Sequence, residues 1–279
     1  MGRTLSELSK EQKEIILDNY VNKKQGLQTA GKEFGASQFT VERLLKEYKI
    51  KKRSYTEAKQ ALRKYFVNDD FFKTQTPDMA YLLGFIAADG SVSKEENGIF
   101  IQLNEKDEEL LEKIRKRVDS NHPIKHYLTN AGNPTAKLSI WSSEWKKDLN
   151  IYNITPQKTF TLQPPTFLKK EYYIDYIHGY FDGDGCLYYN AEKYNRNFEI
   201  VGVSKPVLDW IYEVMTNNYG IITTPVSHYT KDNGVIVYKY AVRGAEKIGK
   251  IYRLFYAPDK FLFLDRKKKL FEELLHETL

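Results

Sequence analysis

Short segments of this sequence return in the same order at a nearly constant distance, and that constrains the fold more than any other feature. PIKHY at Pro123–Tyr127 returns as PVSHY at Pro225–Tyr229, 102 residues on, and PQK at Pro156 returns as PDK at Pro258 at the same distance. YLLGFIAADG, beginning at Tyr81, is matched by YIHGYFDGDG, beginning at Tyr176, 95 residues on. The second copy therefore carries 7 extra residues between its Asp-Gly motif and its PVSHY segment, as a longer hairpin loop would hold. Ordered matches with one consistent length change mark an internal duplication, so the chain must build one architecture twice.

Each copy reads as a helix ending in Asp-Gly, alternating strand-like runs (GIFIQLNE in the first, NFEIVGVSK in the second), an amphipathic helix (DEELLEKIRKRV; VLDWIYEVM), another hairpin and helices. The expected fold is α+β: two pseudo-symmetric αββαββα repeats, residues 76–165 and 166–279, behind a small all-α domain (residues 1–52) and a linker helix (53–75). Thr76 is a natural N-cap and Pro77 suits the first helical position. Gly84 and Ala88 form a small-residue pair at i, i+4, as do Gly179 and Gly183, which predicts that the two Asp-Gly helices pack closely against each other.

Charge separates the front of the chain from the repeats. Lys and Arg outnumber Asp and Glu by 16 to 10 in residues 1–75 and balance at 27 to 27 thereafter. A basic amino-terminal module suits a polyanion. The segments LSKEQKEIILDNYVNKKQ, LQTAGKEFGAS and QFTVERLLKEYKI read as three short helices, the last amphipathic through Phe39, Leu44 and Leu45. Ala30 allows close packing, and Gly35 can take the left-handed conformation of a tight turn. This is the pattern of a helix-turn-helix, whose last helix would offer Ser37, Gln38, Thr40, Arg43 and Lys46 to the major groove, with KIKKRS on the backbone. The single cysteine, Cys186, excludes an intrachain disulfide framework. With no amino-terminal run like a signal peptide or membrane span, the expected location is cytoplasmic.

Packing the repeats through these helices brings Asp89 and Asp184 together at two helix carboxyl ends, where the dipole disfavours a negative charge by about 0.3–1 kcal/mol each. Two carboxylates about 4 Å apart would add roughly 4 kcal/mol of repulsion at an effective dielectric near 20. A divalent cation between them removes that cost. Oxygen ligands without a histidine or cysteine cluster favour Mg²⁺ or another hard divalent cation over Zn²⁺.

The two motifs and their flanks, FFKTQTPDMAYLLGFIAADG and LSIWSSEWKKDLNIYNITPQKTF, resemble LAGLIDADG homing endonucleases in the single-chain, two-motif form, over residues 76 to about 270. The front module is similar to the helix-turn-helix of phage and bacterial members. The resemblance implies a site-specific endonuclease, active as a monomer on double-stranded DNA, that hydrolyses both strands and leaves short 3′ overhangs. It assigns the metal to Asp89 and Asp184. Ala87 departs from the pattern, standing where Asp182 keeps an extra acid, and His178 reads as a helix-packing residue.

The family also uses a basic residue in each half at the scissile phosphate. The repeat points to Lys158 and Lys260, mates at 102 residues, with Lys267 competing from what reads as a solvated basic run. Base readers should alternate with buried residues along strands. In the first copy these are Gln102, Asn104, Lys125, Tyr127 and Thr129; in the second, Arg196, Ser227, Tyr229, Lys231 and Lys239. Segments 121–140 and 225–243 each carry net +2. His126 and His228 have no ligand cluster evident in the sequence and read as structural. Two further functions use the same scaffold: an intron RNA maturase, and a DNA-binding transcription regulator, which has no need to keep both acids.

Overall fold

The computed structural model describes residues 2–54, 57–58, 63–190 and 195–276. Of the linker helix expected at 53–75, residues 55–56 and 59–62 lie outside them. The chain divides into two compact units, Met1–Phe66 and Val67–Leu279.

The first unit holds α1 (Lys10–Val21), α2 (Leu27–Gly31) and α3 (Gln38–Glu47). Ser9 and Gln12 close a capping box at the start of α1. Between α2 and α3 the chain turns through Gly35 at φ 67°, and a Cβ on Gly31 would lie 2.7 Å from the Ala36 carbonyl oxygen. Leu8, Ile16, Tyr20, Ala30, Ala36, Val41, Leu44 and Leu45 form the core. Phe39 departs from expectation: it is 74% exposed, because α3 turns Val41, Leu44 and Leu45 inward and leaves position 39 on the outer face.

The second unit contains the duplication. Its first repeat runs α4 (Pro77–Ala88), β1 (Ser91–Val92), β2 (Gly98–Asn104), α5 (Glu108–Arg117), β3 (Ile124–Leu128), β4 (Pro134–Trp141) and α6 (Ser143–Ile151). The second runs α7 (Tyr173–Asp184), β5 (Gly185–Asn190), β6 (Asn195–Gly202), α8 (Lys205–Asn217), β7 (Ser227–Thr230), β8 (Ile236–Arg243) and α9 (Ala245–Phe255), and adds α10 (Asp265–His276). Each repeat is thus αββαββα, with one helix beyond that pattern at the end. Both sheets are antiparallel and four-stranded, ordered β1-β2-β4-β3 and β5-β6-β8-β7. Each pairs one face with helices. Ile99, Ile101 and Leu103 alternate inward on β2, as Phe198 and Ile200 do on β6.

The repeats meet through α4 and α7. A Cβ built on Gly84 would lie 2.0 Å from the Tyr176 carbonyl oxygen, and one on Gly179 would lie 1.9 Å from that of Tyr81. No side chain fits at either point, so the glycines set the interhelical distance. One turn on, Gly183 abuts Ala88, where a Cβ would stand 2.5 Å from the alanine methyl. Thr76 caps α4 by accepting from Met79 N at 3.2 Å. His178 is buried as expected, its ring stacked on Phe255 with centroids 4.4 Å apart.

Candidate active site

Asp89 is the C-cap of α4 and Asp184 the last residue of α7, so the glycine contact that joins the helices also brings these acids together. Although Asp89 lies at the surface, desolvation by the packed helix ends and then the charge of Asp184 push its carboxyl up to about 6. Desolvation raises Asp184 as well, against the opposing pull of Lys158 and Lys267.

Two buried lysines stand by the acids, each on the carbonyl of the glycine that follows one of them. Lys158 follows Gln157, whose φ of 58° makes a left-handed turn, and its Nζ donates to the Gly90 carbonyl at 2.5 Å. Lys267, on α10, donates from Nζ to the Gly185 carbonyl at 2.7 Å and to those of Phe181 and Asp182 at 2.5 and 2.9 Å. Gly90 and Gly185 are the mates that follow the two acids, so each lysine is tied to the same point of its own repeat. Only 9% of Lys158 and 3% of Lys267 is exposed. Burial lowers both ammonium groups, Lys267 to about 8, while the neighbouring acids hold them up.

Lys260, expected as the mate of Lys158, does not reach this site. Its Nζ pairs with Asp175 Oδ1 at 2.5 Å, in the first turn of α7. At 1.5 Å per residue that is about 14 Å along the helix from Asp184. Lys267, far from lying on a solvated face, takes the place. The constant offset fails here because the second repeat has extra chain ahead of α10, which a residue count carried past PDK does not register.

Asp182 differs from its mate Ala87 in more than charge. Fully buried, its Oδ2 accepts from Tyr81 OH at 2.6 Å and from Leu264 N at 2.8 Å. It therefore ties the first repeat's helix to the entry of the helix that carries Lys267. Burial pushes this carboxyl up to about 6.

The strand register collects many of the expected readers on one face of each sheet. Gln102 stands opposite Lys137, which stands opposite Lys125; Asn104, Thr135 and Tyr127 form the next row. In the second sheet Val201, Lys239 and Ser227 make the row equivalent to the first of these, with Tyr229 on the outer strand β7. Lys137, Trp141 and Glu199 belong to these faces and were missed in the sequence. They become visible only once strand pairing shows which residues stand opposite Gln102, Gly98 and Cys186.

Other expected readers sit elsewhere. Arg196 has the parity of Phe198 and Ile200, the helix-facing side, because β6 presents Asn197 and Glu199 to the other face. Thr129 and Lys231 lie past β3 and β7, in hairpin turns closed by Thr129 N to Asn133 O and Lys231 N to Val235 O. Asn104 stays on the reader face but also accepts from Lys106 N and caps a short 3₁₀ turn. In α3, Gln38, Arg43 and Lys46 are exposed. Ser37 instead caps the helix, accepting from Thr40 N at 3.2 Å. Thr40 is buried and donates its hydroxyl to the Arg3 carbonyl at 2.8 Å. Arg53 of the KIKKRS run is likewise taken up internally, over the Tyr20 ring and donating to the Tyr20 and Gln25 carbonyls. His126, read as having no ligand partners, does have them: it bonds Glu108 at 2.9 Å and shares a 4.8 Å neighbourhood with Glu105 and Glu108. His228 stands 6.1 Å from the Tyr238 ring, with no such group among the described residues.

Comparison with known proteins addresses the first repeat directly. A family model matches residues 76–149, from the N-cap of α4 into α6, and it is the model of the LAGLIDADG-like domain. The first repeat is a LAGLIDADG-like domain. Ribonucleoside-diphosphate reductase NrdEB subunit alpha of Bacillus subtilis (strain 168) is 24% identical over 172 residues, 56% of this chain and 16% of that protein. The DNA-directed RNA polymerase subunit Rpo1C of Methanocaldococcus jannaschii is 28% identical over 176 residues, 61% of this chain and 19% of that one. The chain therefore spans less than a fifth of the length of these curated relatives. Among solved structures, the LAGLIDADG meganuclease I-AabMI bound to uncleaved DNA is similar at 15% identity, over 73% of this chain and 90% of that one, with a TM-score of 0.47. Asp89 and Gly90 lie within the matched residues, and Asp184 and Gly185 are their mates in the second repeat. No described helix is long and apolar enough to cross a membrane.

Proposed function

We propose that this chain is a site-specific DNA endonuclease that binds a long duplex as a monomer, one repeat to each half-site, and cuts both strands to leave short 3′ overhangs. One observation carries this reading: two acids at paired helix ends, each with a buried lysine on the glycine carbonyl that follows it. Stability alone does not favour raised carboxyls at helix carboxyl ends beside desolvated ammonium groups. A site for phosphate chemistry does.

Asp89 and Asp184 offer hard oxygen donors without histidine or cysteine, which fits Mg²⁺ or a similar divalent cation. When bound, such an ion polarises water and neutralises charge on a phosphate under attack. Lys158 and Lys267 place a positive charge beside each acid at low local dielectric, where charge developing on a phosphate is stabilised most. Their carbonyl hydrogen bonds fix the ammonium groups before substrate arrives. The polar sheet faces, with Lys125, Lys137 and Lys239, suit the major groove, and the exposed Gln38, Arg43 and Lys46 of α3 suit a second contact in the manner of a helix-turn-helix. That the same chain matches small parts of two proteins with unrelated names fits a mobile coding segment.

The test is incubation with Mg²⁺ and a plasmid carrying the DNA that flanks the gene, joined without the insert. Linear product with short 3′ overhangs is expected, and Asp89→Asn or Asp184→Asn should abolish it. Tight binding of that duplex without cutting would instead favour a regulator, and assisted splicing of intron RNA a maturase.

A further inference from the structure

The polar faces of the two sheets match in backbone but differ in chemistry. Ser91 and its mate Cys186 each lie two residues past an acid, and they pair with Phe100 and Glu199 respectively. Phe100 and Glu199 are thus equivalent positions, and on these faces they are the β2 and β6 residues paired nearest the acids. Lys137 and Lys239 are equivalent on β4 and β8, as are Trp141 and Arg243. In the first sheet Lys137 Nζ lies over the Phe100 ring, 4.5 Å from its centroid. Phe100 in turn meets Trp141 edge-on at 6.0 Å, and Trp141 is 42% exposed. In the second sheet no aromatic ring holds the equivalent place. Glu199 Oε1 lies 3.3 Å from Lys239 Nζ instead.

These surfaces ask for different base edges. Ring faces offer no hydrogen bond, and among the groups displayed in the major groove only the thymine methyl suits them. A carboxylate only accepts, so it pairs with an amino group, cytosine N4 or adenine N6, and is repelled by the acceptor edge of guanine. Lys239 offsets the charge of Glu199 near phosphates and holds its carboxylate in one orientation.

We propose, resting on the endonuclease reading, that the two repeats read their innermost contacted base pairs by opposite chemistries: Phe100 with Trp141 takes a thymine, and Glu199 held by Lys239 takes a cytosine or adenine. The target is therefore asymmetric at two positions equidistant from its centre, although the protein scaffold is nearly two-fold.

The experiment is selection of bound duplexes from a randomised library by the full chain carrying Asp89→Asn, so that binding is read without cutting, followed by sequencing. The same selection is then run with Phe100→Ala or Glu199→Gln added. Glutamine keeps the shape of Glu199 but can donate as well as accept, so preference at one position should relax at least about five-fold, the lower end for a well-made base contact. Phe100→Ala should relax a thymine preference at the mirrored position and leave the rest unchanged. A sharp target that Glu199→Gln leaves unaltered, or one with guanine at its position, overturns this proposal alone. Enrichment of no sequence at all by folded protein overturns the endonuclease reading and the proposal together.

Discussion

Asp89 and Asp184 combine poor placement for stability with good placement for a cation, and substitution separates the two. Asp89→Asn or Asp184→Asn removes a charge from a helix carboxyl end, so thermal stability should hold or rise and DNA binding should persist, while Mg²⁺-dependent cleavage is lost. The sign with pH follows from the raised carboxyl of Asp89, about 6 in the fold against about 3.9 unfolded. The folded state holds that proton more tightly, so its contribution is full below the unfolded value and fades as pH rises through about 6. Without divalent cation, the melting-temperature advantage of Asp89→Asn over wild type should be small near pH 4 and greatest above pH 6; an advantage that shrinks with rising pH would contradict the site's electrostatics. Asp182→Asn acts on stability instead. Its buried carboxylate accepts from Tyr81 and Leu264, and an amide turned into that space should cost on the order of 1–3 kcal/mol by chemical denaturation. The lysines divide similarly: Lys267→Met should stop cleavage, whereas Lys260→Met should destabilise the fold by stranding buried Asp175 and leave the chemistry in place.

Helices α4 and α7 hold the repeats together through backbone contact, and their glycines leave no room to adjust. Gly84→Ala would put a methyl 2.0 Å from the Tyr176 carbonyl oxygen, and Gly179→Ala one 1.9 Å from that of Tyr81. Each should destabilise by about 3 kcal/mol or more, since neither backbone can yield without parting the helices. Gly183→Ala meets only the Ala88 methyl, at 2.5 Å, and should cost less. Denaturant midpoints would rank the three, and a Gly84→Ala protein as stable as wild type would rule out this mode of packing. α10 is the element that breaks the two-fold repetition, supplying Lys267 where the first repeat uses a single 3₁₀ turn at Lys158–Phe160.

The two compact units suggest a division of labour for the whole molecule. Basic excess is confined to the front of the chain, while every acid and lysine of the candidate site belongs to Val67–Leu279. A protein lacking residues 1–66 should bind its target more weakly, with a flatter dependence on salt because fewer phosphates are neutralised, yet still cut at saturating concentration. Loss of all cleavage by that folded truncation would place part of the chemistry in the front unit. On the proposed endonuclease reading one chain carries the readers for both half-sites, so sedimentation with a single duplex should show one protein per DNA.

The duplication, the helix ends at Asp89 and Asp184, the cap at Thr76 and the small-residue pairs were legible in the sequence, because each follows from local rules that act within a few residues or from repetition along the chain. Gly35 was legible for the same reason. Lys267 was not. Its burial depends on where a helix beyond the repeat docks, and an offset counted along the chain fails once a connection changes length. Arg196 and Thr40 were misplaced for a related reason: a strand's parity and a helix's inward face are fixed by what packs against them. The opposed chemistries of Phe100 and Glu199 emerged only from strand register, since pairing between strands decides which side chains share a surface and no single segment encodes it.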